Sequence, residues 1–333
     1  MFDDIAVIGS GAWGTALALA TAKAGRRVAL WSRDPDQAAS MRATRENTKR
    51  LPGIHLLPSI TPTSSLQEAV TSARAIILAI PAQYVRELCE ALSLVLKSGL
   101  PVIIAAKGID RRSGEFMSEI VADALPGAMP AILSGPSFAD DVAQGLPTAV
   151  VLAAPLAEIA ERLARALSSS CFRIYHSQDV RGVEIGGAAK NVLAIAAGIV
   201  EGRGLGDSAR AALIARGFAE LQRFAKTYDA KPETLVGLAG LGDLVLTASS
   251  LHSRNFSFGH DLGRGVSVSK AGGGNLAEGV FTARILDQIA KARGVEMPIV
   301  AAMAAILDGN LSVEDAVNTV SYTHLTLPTI LLV

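Results

Sequence analysis

Residues 9 to 14 read Gly9-Ser10-Gly11-Ala12-Trp13-Gly14, set between the apolar run Ile5–Ile8 and a helical stretch from Thr15 to Ala24. Three glycines at this spacing say little alone. Between a strand and a helix, at the head of an alternating chain, they dictate a backbone. The first permits a tight turn, the second lets backbone approach a ligand, and the third lets the helix pack closely. The helix N-terminus adds unpaired N–H groups and a partial positive charge, which suit a pyrophosphate. A dinucleotide-binding turn built from Gly9, Ser10, Gly11, Ala12, Trp13 and Gly14 is therefore expected; the other reading is a glycine turn without a ligand.

The alternation continues. The runs Val28–Trp31, Ala75–Ile80, Val102–Ala106, Ala131–Leu133, Ala149–Leu152 and Phe172–Tyr175 are unbroken, as parallel strands covered on both faces require. With helical patterns between them, residues 1–180 are expected to form a Rossmann-like, doubly wound α/β sheet. At 333 residues the chain exceeds one core, and strand signals vanish after Ser177. Helical stretches near Val183–Glu201, Ala209–Tyr228, Lys231–Leu238, Phe281–Arg293 and Pro298–Leu307 predict an all-helical second domain over 181–320. Ser312, with Asp315 three residues on, marks a further helix start. From Ser321 the pattern collapses, so 321–333 reads as an atypical tail, with a foreign appendage as one explanation.

Lys plus Arg total 31, and so do Asp plus Glu. That balance offers no general attraction for nucleic acid or an anionic membrane, so any anion must be met by a local cluster. Cys89 and Cys171 lack metal or disulfide spacing and read as reduced, buried small side chains; no metal is expected. The acidic start is unlike a signal peptide, and runs such as Ala75–Ile80 are too short to span a bilayer. A cytoplasmic protein without a membrane span is expected.

Cofactor choice turns on the residues after the second strand, Ser32-Arg33-Asp34-Pro35. A carboxylate there holds a ribose 2′-hydroxyl, whereas a cation suits a 2′-phosphate. Asp34 is followed by Pro35 and a helical pattern, so it reads better as an N-cap with proline at the first position. Ser32 and Arg33 then face the ribose. NADPH is the expected cofactor, with NADH the alternative.

Two strand ends deliver chemistry to the carboxyl edge, where open α/β sheets bind ligands: Lys107-Gly108 after Val102–Ala106, and Ser134-Gly135-Pro136-Ser137-Phe138-Ala139 after Ala131–Leu133. Lys107 also reads as a surface lysine, and Ser137 equally as a helix cap with Asp140 three residues on. Lys190 lies on an apolar helix and shares a face with Gly187 and Ala194. Partial desolvation there lowers an amine's pKa toward values useful for proton transfer; a lysine snorkelling to water is the alternative. Asp243 sits in a glycine-rich segment and could orient Lys190 or a substrate hydroxyl. Arg254 offers a planar fork for a phosphate, flanked by Ser253 and Asn255. The segment Gly272-Gly273-Gly274-Asn275-Leu276-Ala277-Glu278-Gly279 either lines the cofactor through Leu276 and Glu278 or is a flexible loop.

Taken in order, Gly9–Gly14, Lys107-Gly108, Gly135–Ala139, Lys190-Asn191-Val192, Gly242-Asp243-Leu244, Ser253-Arg254-Asn255 and Glu278-Gly279 resemble the bacterial NAD(P)-dependent glycerol-3-phosphate dehydrogenase family over about residues 4 to 320. The resemblance implies reduction of dihydroxyacetone phosphate to sn-glycerol 3-phosphate for glycerophospholipid synthesis, with Lys190 as the proton donor. It implies substrate contacts from Lys107, Gly135, Ser137, Asp243, Ser253, Arg254 and Asn255. Cofactor contacts would come from Trp13, Arg33, Lys107, Ala139, Arg254, Leu276 and Glu278, the active species being a homodimer with its reaction in an interdomain cleft. The segment after Val320 departs from the family's last helix. The rival readings are a 3-hydroxyacid or 6-phosphogluconate-type dehydrogenase and a non-catalytic NADPH-binding protein on the same scaffold.

Overall fold

The structure, a computed structural model, describes residues 2–96, 99–274 and 277–322, with side chains to 318. In chain order the strands are β1 (Asp4–Ile8), β2 (Arg27–Trp31), β3 (Glu46–Asn47), β4 (Leu51–His55), β5 (Ile60–Thr63), β6 (Ala75–Leu78), β7 (Pro101–Ile104), β8 (Met129–Ser134), β9 (Thr148–Ala153) and β10 (Phe172–Ser177). Among the described residues, eight form one sheet in the order β10-β9-β8-β7-β6-β1-β2-β5, and β3 with β4 forms a separate hairpin. The chain moves outward from β1 to β2 and β5, then returns to β1's other side at β6. Ligands bind outside the carboxyl ends of strands at such a reversal.

Unbroken apolar runs are explained by burial on both faces. Ile5 and Val7 of β1, with Ile77 and Ile103, pack against the helices Ala12–Lys23 and Ala157–Leu167. Ala6 and Ile8, with Ile76, Leu78 and Ile104, pack against Val85–Ser93 and Met117–Ala124. The sheet is doubly wound, as expected.

Two features differ from the sequence reading. β9 is antiparallel to β8, with Leu133 opposite Leu152, while β10 is parallel to β9. The last two runs thus oppose the other six strands, because a buried apolar run looks the same in either direction. β5, reading Ile60-Thr61-Pro62-Thr63, lies at the sheet edge beside β2. An edge strand needs no continuous apolar run and tolerates proline, so the apolar criterion passes over it.

The chain forms two compact units. One comprises residues up to Ala188 together with Tyr228–Leu246; the other comprises Ala189–Thr227 and Thr247 onward. In the second unit every regular element is helical among the described residues, with Asp207–Lys226, Arg254–Gly263, Glu278–Ala292, Pro298–Leu307 and Val313–Tyr322 accompanying the later part of Val180–Gly202. Arg254–Gly263 and the short helix Asp243–Thr247 occupy segments whose helical pattern is too brief to read. The expected cap at Ser312 is present, its Oγ accepting from Asp315 N at 3.0 Å, and that helix continues to Tyr322. Residues 323–333 of the tail lie outside the described residues.

Backbone contact locks two of these helices together. A Cβ on Gly198 would overlap the carbonyl oxygen of Phe256, and one on Gly202 that of His260. Reciprocally, a Cβ on Gly259 would overlap the carbonyl oxygen of Ile195, and one on Gly263 would lie 2.5 Å from that of Ile199. Val180–Gly202 is also, among the described residues, the one helix long and apolar enough to cross a membrane, and its apolar window is wholly buried within the protein.

Buried polar groups fix the ends of other helices. Glu184 accepts from Ser118 N and Oγ, both at 2.8 Å. Glu220 accepts from Ile299 N at 2.9 Å and so caps Pro298–Leu307. Burial pushes both carboxyls up to about 7. A carboxyl raised in the fold contributes stability fully present below its unfolded pKa, near 4.3, and lost as pH rises through 7. Glu220→Gln keeps an acceptor for the helix end without the charge. Its Tm is expected to gain on the wild type between pH 5 and pH 8; a gap that closes over that range would contradict the assignment. Cys89 is buried as expected, which pushes its thiol up to about 12, whereas Cys171 is only partly buried.

Candidate active site

The first unit carries the glycine turn. Gly9 has φ +119°, and a Cβ there would overlap the carbonyl oxygen of Ala79 at the end of β6. A Cβ on Gly14 would overlap the carbonyl oxygen of Gly9, so the helix Ala12–Lys23 starts directly on the turn. Gly11 is the opposite case: it is exposed, and a Cβ there would meet nothing within 4 Å. Trp13 Nε1 is buried without a partner among the described residues. A close-packed turn with one open glycine, an uncapped helix N-terminus and an unpaired indole N–H fits a dinucleotide pyrophosphate.

Around the ribose position the structure separates the residues read together. Ser32 is buried, its hydroxyl 3.4 Å from Gln37 Oε1. Asp34 is the N-cap, accepting from Asp36 N and Gln37 N, and it pairs with Lys49 at 3.0 Å. Those contacts hold its carboxyl below the ordinary range, the Lys49 hydrogen bond foremost. Arg33 is exposed, and no ion pair engages it among the described residues. The cation, rather than the carboxylate, is the group left available.

Lys107, Gly135, Ser137 and Asp243 gather in this same unit. Lys107 Nζ lies 2.7 Å from Asp243 Oδ2 and 3.1 Å from Gly135 O, with 18% of its side chain exposed and 2% of Asp243's. A solvated surface lysine is thus excluded. Ser137 does not cap the next helix: that helix, Ala139–Gln144, has Phe138 at the N-cap without a side-chain bond, and Ser137 Oγ donates to Gly135 O at 3.0 Å. Ala139 is its first residue. Ser134 Oγ is buried without a partner among the described residues, 2.7 Å from the position of a Cβ on Gly187. Asp243 begins the helix Asp243–Thr247 rather than sitting in an open turn.

The second unit holds Lys190. Its residue exposure is 5%, and Nζ donates to Thr247 Oγ1 at 2.6 Å, so it does not snorkel to water. Thr247 escaped the sequence reading, although its spacing four residues after Asp243 places both on one helical face. Asn255 donates to Asn191 Oδ1 at 3.0 Å and accepts from Gly279 N at 2.9 Å, which ties the first turn of Glu278–Ala292 to the lysine-bearing helix. Ser253 is the N-cap of Arg254–Gly263, accepting from Phe256 N. Arg254 occupies the first helical position, exposed and without an ion pair among the described residues. A cation there opposes the helix dipole, a placement that favours a bound anion. Glu278 is likewise first in its helix; Leu276 lies outside the described residues.

Comparison with known proteins covers both units. Residues 4–160 match the family model for the N-terminus of NAD-dependent glycerol-3-phosphate dehydrogenase, and residues 179–318 match the model for its C-terminus. The chain belongs to the NAD-dependent glycerol-3-phosphate dehydrogenase family. It is 59% identical over 316 residues to a glycerol-3-phosphate dehydrogenase (NAD(P)+) of Azorhizobium caulinodans, with 95% of each chain covered. The counterpart in Methylobacterium radiotolerans is 58% identical over 314 residues, covering 94% of each. A crystal structure of glycerol-3-phosphate dehydrogenase from Coxiella burnetii superposes with TM-score 0.91 at 36% identity, covering 96% of this chain and 98% of that one. Family membership sets aside the hydroxyacid-dehydrogenase reading.

Proposed function

We propose that this chain is a cytoplasmic, homodimeric NAD(P)-dependent glycerol-3-phosphate dehydrogenase that reduces dihydroxyacetone phosphate to sn-glycerol 3-phosphate and prefers NADPH. The observation that carries the chemical reading is the buried ammonium of Lys190 held at Thr247, in a chain that matches the family through both halves. Bound NADPH supplies the hydride. Lys190 gives a proton to the carbonyl oxygen as charge develops there, and takes it back in the reverse direction. The Thr247 hydroxyl, accepting from the amine, orients that proton. Arg254 grips the phosphate with N–H donors of its helix start and the Ser253 hydroxyl, which fixes the carbonyl for reaction. Lys107 and Asp243 neutralise one another, and Lys107 also donates to the Gly135 carbonyl. Gly9–Gly14 would hold the pyrophosphate, with the indole N–H of Trp13 as a donor, and Arg33 would meet the 2′-phosphate while Asp34 is engaged elsewhere.

The test is loss of NADPH absorbance with dihydroxyacetone phosphate, repeated with NADH. Turnover with the phosphorylated ketone and a higher kcat/KM with NADPH are expected; no turnover would sink the activity, and a tenfold preference for NADH would sink the role of Arg33. Arg254→Ala is expected to raise KM for dihydroxyacetone phosphate on the order of 10- to 100-fold, the effect of losing hydrogen bonds to a charged group. An unchanged KM would remove Arg254 from the phosphate. Sedimentation at micromolar concentration tests the dimer.

A further inference from the structure

We infer that Asn47, on the short hairpin strand β3, is a positioning residue that holds the glycine turn in its cofactor-accepting conformation. The inference rests on the reading that the dinucleotide lies on Gly9–Gly14. Asn47 is 1% exposed. Its Nδ2 donates to Ser10 O at 2.9 Å and to Thr15 Oγ1 at 2.8 Å. Gln37 Nε2 donates to the same Ser10 carbonyl at 3.1 Å and to Asn47 Oδ1 at 3.0 Å. Two side-chain amides from different elements thus converge on one carbonyl oxygen in the middle of the turn.

A trans peptide is planar, with its C=O and N–H on opposite sides. Fixing the Ser10 carbonyl toward the buried Asn47 and Gln37 therefore fixes the Gly11 N–H the other way. Gly11 is the exposed residue of the turn, and its N–H has no partner among the described residues. Were this peptide to flip, a carbonyl oxygen would face the pyrophosphate and a buried N–H would face two amide donors. Both changes oppose an anion. Gln37 also contacts Ser32 and the N-cap Asp34, so the network joins the turn to the strand end that carries Arg33.

Asn47→Ala and Gln37→Ala are compared with the wild type by quenching of tryptophan fluorescence on NADPH titration, by steady-state kinetics and by thermal melting. Asn47→Ala is expected to raise Kd and KM for NADPH about tenfold or more, equivalent to 1.4 kcal/mol, with kcat at saturating cofactor and KM for dihydroxyacetone phosphate within threefold. Gln37→Ala, which removes the longer of the two bonds to Ser10 and leaves the Asn47 bonds to Ser10 and Thr15 in place, is expected to show the same pattern at smaller size. Wild-type NADPH affinity in both variants would overturn the inference while leaving the proposed function standing. So would a fall in Tm with kcat and both KM values impaired together, the mark of general damage. Failure of the wild type itself to bind NADPH would overturn both.

Discussion

Replacing Lys190 by alanine is expected to lower kcat by about 10²–10⁴-fold, the range supplied by a positioned proton donor, and to leave NADPH affinity within a few fold of the wild type. The ammonium is buried and donates to the Thr247 hydroxyl. In the proposed mechanism, removing it takes away the proton for the carbonyl oxygen and the positive charge that stabilises that oxygen as the hydride arrives. Water admitted to the gap replaces neither efficiently, since it is a weak acid and carries no charge. Thr247→Val replaces the hydroxyl that accepts from the amine by a methyl group and is expected to give a smaller loss in kcat. Near-normal turnover in Lys190→Ala would remove the residue from the chemistry. A parallel loss of cofactor affinity would point instead to collapse of the surrounding helix.

The second large effect is on stability. Gly259→Ala adds one methyl group to a helix crossing in which that methyl would overlap the carbonyl oxygen of Ile195. A flexible side chain could swing aside, but the obstacle is the backbone of a buried helix, so relief requires the two helices to part. Parting them also breaks the reciprocal fit of Gly198 on Phe256 O and Gly202 on His260 O. Overpacking of this kind costs about 3 kcal/mol, which lowers Tm by about 4 °C for a chain of this size. The same substitution at Gly11, where a Cβ meets nothing within 4 Å, is the control that should leave Tm nearly unchanged. Equal melting of the two variants would show that the crossing yields more easily than its geometry implies.

What was legible in the sequence followed from local physics. Gly9–Gly14 announced a turn because both its neighbours were readable, and Asp34-Pro35 announced a helix start because cap and proline act within one turn. Five of the six parallel strands were visible because burial on both faces demands an unbroken apolar run; the edge strand β5 was not. The reversal of β9 was not, since direction depends on partners far along the chain. The site divided in the same way. Lys107 and Asp243 could each be nominated, but their pairing joins residues 136 apart, and nothing in either segment marks it. Ser137 looked like a cap because a serine and an acid stood three apart, yet its hydroxyl turns back to Gly135. Asn47 carried no signal at all: Glu46-Asn47-Thr48 reads as a polar connection, and only the folded hairpin brings it beneath the turn.

Because β9 and β10 run against the other strands, the chain leaves the sheet at the edge away from the carboxyl ends of those strands, and the first part of Val180–Gly202, up to Ala188, climbs back across one face. Val183 joins the core on that face, and Gly187 arrives beside Ser134 at the end of β8. From Gly187 the helix continues without a break to Lys190. One inserted residue between them would swing the lysine by about 100°, a change no side-chain substitution nearby could undo. Insertions and deletions that the surface loops absorb should therefore be lethal to activity in this short stretch, even where the protein still folds.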